Sequence, residues 1–255
     1  MGGAGTGKTV LVEQLRKPLA ARSGNFICCK FDKLNHTQPM QVIFNAFDVY
    51  CKEIAGIGGC SRKQPDIPDM PCYCHVREAV GKALGGNVSV LTDLMPNMRY
   101  LVNDEMMATG TTDLPGVEAL NRFIYIFRMF IRAIASTKTP LVLFLDDLQW
   151  ADAAALELIS TLAADSEVKS MLFVATYREE DVSQDHPLRS ELTRLQISGI
   201  RINSLSLDNI GREDLNAYVS DVLYLSPRIT RPLAELVHAK TTGNILFVVE
   251  ILRSL

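Results

Sequence analysis

Apolar positions along the chain fall into short continuous runs, typical of buried strands, and longer periodic segments, typical of helices. Residues Asn25 to Phe31 form a short apolar run after the turn signal Ser23-Gly24 and predict a strand. Leu141 to Leu145 contains five consecutive apolar residues, as expected of a strand buried on both faces of a parallel sheet. Met171 to Thr176 repeats this pattern after a predicted helix over about 153 to 163. Strand, helix and strand at these spacings form a βαβ unit, so we expect an α/β fold with a parallel sheet flanked by helices.

Helical spacing dominates the remaining segments. A long amphipathic helix is predicted over Val117 to Ser136, where eight apolar side chains recur on one face. Further helices are expected over Val42 to Tyr50 and over 76 to 102, the latter within a stretch that Gly and Pro residues interrupt on both sides. A last strand is predicted near Ile200 to Leu205. Beyond it the pattern is helical throughout, which indicates a small C-terminal all-helical subdomain with helices at about 211 to 223, 227 to 240 and 245 to 254.

Composition and charge narrow the class of protein. The 255 residues include 26 Lys and Arg against 29 Asp and Glu, a net charge of −3, and the sequence pI is about 5.8. A chain without a basic tail at this charge is not expected to bind nucleic acid or an anionic membrane as its main partner. The richest apolar stretch, Phe123 to Ala135, is interrupted by Arg128 and Arg132, so no transmembrane helix is predicted. Only Met1 precedes the first motif, so no secretory signal is expected and a cytoplasmic location is predicted.

The six cysteines are expected to be thiols, because no secretion signal accompanies them. One close group, Cys72-Tyr-Cys74-His75, raises the alternative of a metal site. Such sites usually combine a Cys-x2–4-Cys spacing with a second ligand pair, and no second pair is evident. We therefore expect unremarkable thiols in a loop-rich insert and leave the metal site as the alternative.

A Gly-rich octet opens the chain. It reads Gly2-Gly3-Ala4-Gly5-Thr6-Gly7-Lys8-Thr9 and fits G-x-x-x-x-G-K-[ST] at every position. In this motif the glycines let backbone N–H groups converge on phosphate oxygens, the Lys8 ammonium reaches the β and γ phosphates, and the Thr9 hydroxyl can ligate Mg²⁺. A helix beginning near Lys8 would direct the positive end of its dipole at the phosphates. The alternative is a simple glycine turn.

Two carboxylates follow the strand predicted over Leu141 to Leu145. This position places Asp146 at the carboxyl edge of the sheet beside the Gly-rich loop, where it could hold Mg²⁺ through water. Asp147 lies one residue further and could orient or activate an attacking water. Taken alone, an Asp-Asp pair after a strand is often only a turn and a helix cap. Together with the octet, the pair predicts a site for phosphoryl transfer.

Arg178 follows the strand predicted over Met171 to Thr176. A guanidinium at this place could sense or neutralise the γ-phosphate of a nucleotide. The alternative is a surface arginine paired with Glu179 or Glu180. Position in the sequence does not decide between these two interpretations.

Four motifs in a fixed order carry a resemblance to a known family. They are Asp146 to Asp152 (DDLQWAD), Ala175 to Glu180 (ATYREE), His186-Pro187-Leu188 and Thr242-Gly243-Asn244. Together they resemble the STAND branch of the AAA-like P-loop ATPases, which are signal-transduction ATPases. More narrowly, the chain is similar to the Orc1-like AAA ATPase module of large multidomain serine/threonine kinases and hybrid histidine kinases. The similarity covers essentially the whole chain, including Leu91 to Leu101.

The resemblance assigns a domain division and residue roles. It implies an ATPase core over 1–205, with a helical and loop insert at about 51–116, and an incomplete helical lid subdomain over 206–255. Its cofactors would be ATP and Mg²⁺. Lys8 and Thr9 would be the Walker A pair, and Asp146 the Walker B carboxylate that holds Mg²⁺. Asp147 would be the catalytic acidic residue and Arg178 the sensor.

The function that the resemblance implies is an ATP-binding, slowly ATP-hydrolysing regulatory switch. ATP and ADP would favour different arrangements of the lid. Partners would be kinase or other signalling domains of the same longer chain, and homo-oligomerisation stays open. One alternative is a catalytically inactive module that binds nucleotide or protein. Another is a DNA-binding initiator ATPase, which the charge of −3 and the lack of a basic stripe disfavour.

The sequence departs from the family pattern at three places. Ile245 stands where the family's lid motif continues Gly-Asn-Pro, and isoleucine lacks proline's fixed φ. The Cys- and Pro-rich stretch at about 56–75 matches nothing that we can assign. The apolar strand that leads into the P-loop in this family has no counterpart before Gly2. We therefore expect the chain to be a fragment of a longer protein.

Overall fold

In the part of the chain that the structure describes, the fold is built from three strands and a series of helices. The structure, a computed structural model, describes residues 1–33, 40–56, 74–102 and 116–254. The strands are β1 (Asn25–Lys30), β2 (Leu141–Asp146) and β3 (Met171–Ala175). The helices before β2 are α1 (Lys8–Glu13), α2 (Arg16–Ala20), α3 (Gln41–Ile54), α4 (Cys74–Leu84), α5 (Val88–Thr92) and α6 (Gly116–Ile134). Those after β2 are α7 (Ala153–Ala163), α8 (Pro187–Ile197), α9 (Arg212–Leu223), α10 (Pro227–Thr241) and α11 (Ile245–Arg253).

The described strands form one parallel sheet in the order β1-β2-β3. In its register Lys30 lies beside Asp146, and Leu145 lies beside Ala175, so the strands end at a common edge. Every residue of β2 is buried, because β2 has a strand on each side and helices over both faces. The parallel α/β sheet predicted from the continuous apolar runs is therefore confirmed. β3 is only partly buried, and Leu172 is 53% exposed.

Helices cover both faces of the sheet. On one face, α3, α6 and α7 share the main hydrophobic core with β1 and β2. On the other face, Val12 of α1 and Leu19 of α2 pack against a smaller cluster formed by Phe26, Val142 and Phe144. Asp152 begins α7 as its N-cap, accepting a hydrogen bond from the Ala155 N–H at 2.8 Å. The helix predicted over about 153 to 163 is confirmed.

Aromatic packing joins α6 to α3. The ring centroids of Phe44 and Phe123 lie 4.8 Å apart, and those of Phe47 and Phe127 lie 5.2 Å apart, both in edge-to-face geometry. The helix predicted over Val117 to Ser136 is thus confirmed, with observed bounds of Gly116–Ile134. The single helical stretch predicted over 76 to 102 is instead divided into α4, α5 and two 3₁₀ segments, Gly85–Asn87 and Pro96–Leu101. Glycine and proline at these breaks account for the division.

The strand predicted near Ile200 to Leu205 is wrong. Residues 200 to 211 form no regular secondary structure, and Leu205 is 64% exposed. Met1 pairs with this segment through the main chain, its ammonium donating to Leu205 O at 2.8 Å and its carbonyl accepting from Leu207 N–H at 3.0 Å. These two hydrogen bonds flank Ser206 and correspond to a single parallel residue pair, which is too little to form a strand pairing. Among the described residues no strand lies beside this segment, so its alternating apolar residues do not become part of a sheet.

The helices predicted at about 211 to 223, 227 to 240 and 245 to 254 are observed, with the bounds given above. Helices α9, α10 and α11 pack around their own small apolar cluster, separate from the main core, formed by Leu215, Val219, Ala234, Val237 and Val248. No helix in the described ranges is both long enough and apolar enough to cross a membrane.

Candidate functional site

The Gly-rich loop precedes α1 and is held in a conformation that requires glycine. Gly5 and Gly7 have φ values of +75° and +87°, in the left-handed region that residues with a Cβ seldom adopt. Gly7 is the N-cap of α1, which begins at Lys8 as expected. The Thr6 hydroxyl donates to Gly3 O at 3.0 Å and tightens the loop. The backbone therefore curls at a helix N-terminus, where free N–H groups favour an anion.

The Lys8 side chain turns back over the loop. Its Nζ donates to Gly2 O at 2.8 Å and to Gly3 O at 2.7 Å. Partial burial lowers the pKa of Lys8, and the nearby Arg178 guanidinium lowers it further. A phosphate beside this ammonium would favour its charged form. Lysine at this place is thus suited to meet an anion.

Asp146 lies where the loop helix meets the sheet. The carboxylate is 2% exposed, and the Thr9 hydroxyl donates to it at 3.0 Å from Oδ1 and 3.2 Å from Oδ2. On the other side, the Thr176 hydroxyl donates to Oδ1 at 2.6 Å. The structure thus brings together Thr9 and Asp146, the two residues predicted to hold Mg²⁺, although they are 137 positions apart.

Asp147 and Arg178 form an ion pair next to this carboxylate. Arg178 Nε lies 3.7 Å from Asp147 Oδ1, and both side chains are partly exposed. Asp147 adopts a left-handed conformation with φ 55° and ψ 45°, and its N–H donates to Thr176 Oγ1 at 3.2 Å. The pairing of Arg178 with Glu179 or Glu180, considered from the sequence, is not the ion pair observed here. Arg178 instead faces the acidic pair at the carboxyl edge of the sheet.

Two residues that sequence reasoning does not single out complete the polar cluster. Thr176 links β3 to Asp146 and to the Asp147 N–H. Gln149 is 3% exposed, and its amide lies between Asp147 and the backbone of Arg178. The sequence offers one signal for each residue. Thr176 is a polar residue at the end of an apolar run, and Gln149 is a polar residue between Leu148 and Trp150.

The N-terminus of α11 rests on the Gly-rich loop. Asn244 Nδ2 donates to Ala4 O at 2.8 Å, and the Leu246 N–H donates to Gly5 O at 3.2 Å. Asn244 Oδ1 also caps α11 by accepting from the Leu246 N–H at 3.2 Å. A Cβ on Gly5 would fall 2.6 Å from Asn244 Oδ1. The C-terminal helices and the loop are therefore in direct contact.

Comparison with known families agrees with this geometry. A sequence model of the family described as the AAA ATPase domain matches residues 1–174, from the Gly-rich loop into β3. The chain belongs to this family. An AAA ATPase domain binds nucleotide, usually with Mg²⁺, so membership supports a nucleotide-binding role for the loop.

The chain is also similar to part of a curated protein with a signalling name. The chain is 25% identical, over 315 aligned positions, to a protein of Dictyostelium discoideum named hybrid signal transduction histidine kinase G. The alignment covers 99% of this chain and 8% of that protein. No solved structure matches the chain.

The site of this AAA ATPase domain fits ATP and Mg²⁺. The buried carboxylate of Asp146 and the hydroxyl of Thr9 are hard oxygen donors, the type that Mg²⁺ prefers, and Mg²⁺ is usually bound by few protein ligands together with phosphates and water. In the described ranges no cluster of three or more His, Cys, Asp or Glu side chains could hold a metal ion by itself. A pair of protein ligands that shares the ion with a nucleotide is consistent with this finding.

The cysteines that the structure describes are free thiols. They are Cys28, Cys29 and Cys51. Burial raises the pKa of the Cys29 and Cys51 thiols, so both stay protonated near neutral pH. Cys72 lies outside the described residues, and so do the side chains of Cys74 and His75, which leaves the alternative of a metal site there untested.

Proposed function

We propose that the chain is an ATP-binding module that hydrolyses ATP slowly and passes its nucleotide state to other parts of a signalling protein. One observation carries this proposal. The helix that begins at the Gly-rich loop contributes Thr9 to the buried Asp146 carboxylate, and the Asp147–Arg178 pair lies beside it. A phosphate cradle, a cation site and a charged pair able to act on a γ-phosphate thus share one edge of the sheet.

Each residue of the site has a part in this proposal. The backbone N–H groups from Gly2 to Gly7 bind phosphate oxygens, and Lys8 exchanges its bonds to the loop carbonyls for the β and γ phosphates. Thr9 and Asp146 hold Mg²⁺, which would neutralise phosphate charge when bound. Asp147 orients the attacking water, and Arg178 stabilises charge that develops on the γ-phosphate.

The contact between α11 and the loop supports a switch. We assign residues 1–205 to an ATPase core, with an insert at about 51–116, and 206–255 to a helical lid. Asn244 and Leu246 bond to carbonyls of Ala4 and Gly5. Reordering of this loop around a γ-phosphate would change those bonds, so ADP would favour the closed lid and ATP an open one. Ile245 keeps an apolar surface near Gly7 without fixing the backbone.

The wider assignments rest on the resemblance and on the relative. The STAND and Orc1-like classification follows from the ordered motifs DDLQWAD and ATYREE. Signalling domains in the same longer protein are proposed because the matched relative is named a hybrid histidine kinase and the chain corresponds to 8% of it. Homo-oligomerisation is an open extension of the proposal. A cytoplasmic location is proposed because the described cysteines are free thiols.

A second candidate is a module that binds nucleotide without turnover. It is favoured by one feature of the site, since Lys8 already donates to Gly2 and Gly3 and would have to leave both carbonyls to meet a phosphate. A DNA-binding initiator ATPase is the weaker candidate because the net charge is −3.

Phosphate release by the full chain tests the proposal. With Mg²⁺ and ATP, the wild type should turn over slowly, while Lys8→Ala and Asp146→Ala should fall to the uncatalysed rate because each removes charge stabilisation of the transferred phosphate. Lys17→Ala, an exposed lysine of α2, is the matched control and should keep wild-type turnover. Nucleotide binding without turnover would select the second candidate. Equal turnover in all four proteins would overturn the assignment.

A further inference from the structure

Gln149 lies at the centre of the site and is one of the two buried polar residues there that sequence reasoning does not predict. It belongs to the 3₁₀ turn Leu148–Trp150, which directly follows Asp147, and it is 3% exposed. Its Nε2 donates to Asp147 Oδ1 at 3.1 Å, and its Oε1 accepts from the Arg178 N–H at 3.2 Å. A carboxylate can only accept and a backbone N–H can only donate, so the chemistry of the two partners fixes the orientation of the amide.

The two partners of Gln149 are themselves paired. Arg178 Nε lies 3.7 Å from the same Asp147 oxygen that receives the Gln149 amide. One short side chain therefore holds the carboxylate of Asp147 and the backbone that carries the guanidinium. Because Gln149 is buried, water cannot readily replace either bond.

We propose that Gln149 is a positioning residue for ATP hydrolysis, which aligns Asp147 and Arg178 with each other at the end of the sheet. This inference rests on the proposed function. Gln149 acts through its two neighbours and makes no contact with the nucleotide in this account. Its removal should therefore lower the rate of the chemical step and leave the phosphate-binding loop intact.

A neutral amide is the group that this place requires. Gln149 bonds to Asp147, which pairs with Arg178. Lys8, whose ammonium interacts electrostatically with both of these residues, interacts also with Asp146 and Glu180. An ionised glutamate would meet Asp147 as a second anion and would have no hydrogen to donate, whereas a protonated glutamic acid offers one donor and one acceptor. Methionine has a similar length but supplies neither bond. The pair Gln149→Glu and Gln149→Met thus separates hydrogen bonding from packing.

Steady-state ATP hydrolysis by the full chain, measured from mildly acidic to mildly basic pH, tests the proposal. Near neutral pH both variants should bind Mg²⁺ and ATP within about threefold of the wild type, while kcat falls about 10- to 100-fold, the usual cost of losing an outer partner of a site. Relative to the wild type, the kcat of Gln149→Glu should recover as the pH falls and the new carboxyl group gains a proton. Gln149→Met should show no such recovery. Gln196→Glu, at an exposed position of α8, is the matched control and should follow the wild type at every pH.

The outcomes separate this inference from the proposed function. A wild type that does not hydrolyse ATP overturns both. A wild type that hydrolyses ATP alongside variants of unchanged kcat, or with Gln149→Glu and Gln149→Met sharing one pH profile, overturns the role of Gln149 alone. If Gln149→Met fails to fold, the comparison of Gln149→Glu with Gln196→Glu still decides, because glutamate has nearly the shape of glutamine.

Discussion

The Thr176 hydroxyl donates to Asp146 Oδ1 at 2.6 Å and ties the end of β3 to the buried carboxylate at the end of β2. Thr176 Oγ1 also accepts a hydrogen bond from the Asp147 N–H at 3.2 Å, so this one hydroxyl bonds to both members of the acidic pair. Since the Thr9 hydroxyl approaches Asp146 at 3.0 Å from the loop helix, two threonines define the direction in which this carboxylate faces. The geometry of the site thus depends on the parallel register of the strands.

Replacing Thr176 by Val removes this hydroxyl and keeps the shape of the side chain. The buried carboxylate and the Asp147 N–H each lose a partner, so the free energy of unfolding should fall by about 1–3 kcal/mol. The Mg²⁺ dependence of ATP binding should shift to concentrations about tenfold higher, because an outer partner no longer orients the ligand. Urea unfolding and magnesium titrations measure the two effects.

Thr176→Ser retains the hydroxyl and serves as the control. It should stay close to the wild type in Mg²⁺ dependence. The same shift in Thr176→Ser and Thr176→Val would contradict this explanation, because serine keeps the hydroxyl that donates to Asp146.

Asn244 offers a test of the contact between the C-terminal helices and the loop. Asn244→Asp keeps the oxygen that caps α11 but removes the Nδ2 donor to Ala4 O. Loss of one hydrogen bond should weaken ADP binding by about three- to tenfold. If ADP favours the closed lid, as we propose, ATP affinity should change less.

Fluorescence titrations with ADP and ATP on Asn244→Asp measure this difference. Asn244→Ala, which loses the cap as well, should show the same difference between the nucleotides and a lower unfolding temperature. Equal weakening of ADP and ATP binding would contradict a lid that distinguishes them.

Part of this site could be predicted from the sequence because its signals are local. The continuous apolar run of Leu141 to Leu145 marks a strand that is buried on both faces, and Asp146 follows it directly. The role of Gln149 depends on Arg178, 29 positions away, and so on the register between β2 and β3. The bond from Asn244 to Ala4 spans 240 positions. For Ile200 to Leu205 the local signal gave a wrong prediction. Its pattern fits a strand, but no strand in the described chain lies beside it to form a sheet.

Asp165 should make the free energy of unfolding depend on pH in the acidic range. This carboxyl group accepts hydrogen bonds from Arg128 and Arg132 of α6. Burial would raise its pKa, but the bonds from Arg132 and Arg128 outweigh burial and lower the pKa to about 2. The folded pKa is therefore below the unfolded value of about 3.9, so the ion pairs stabilise the fold above about pH 4 and this contribution is lost as the pH falls toward 2.

Asp165→Asn should lower the free energy of unfolding by about 2 kcal/mol near neutral pH, because it removes charge-assisted hydrogen bonds. The difference from the wild type should shrink as the pH is lowered from about 5 to about 2. Urea unfolding at several pH values measures it, with Asp185→Asn, an exposed aspartate, as the control. A difference that stays constant across this range would contradict the ion-pair explanation.

A double-mutant cycle on Thr9 and Asp146 tests the central claim that the Gly-rich loop and the acidic strand end form one nucleotide site. The measurement is the dissociation constant of ATP, with and without Mg²⁺, for the wild type, Thr9→Val, Asp146→Asn and the double variant. We predict that each single change weakens Mg²⁺-dependent ATP binding by about tenfold or more and that the double variant binds no more weakly than the worse single one, because both residues hold the same ion. ATP binding that does not depend on Mg²⁺ in the wild type, or losses that multiply in the double variant, would contradict the account.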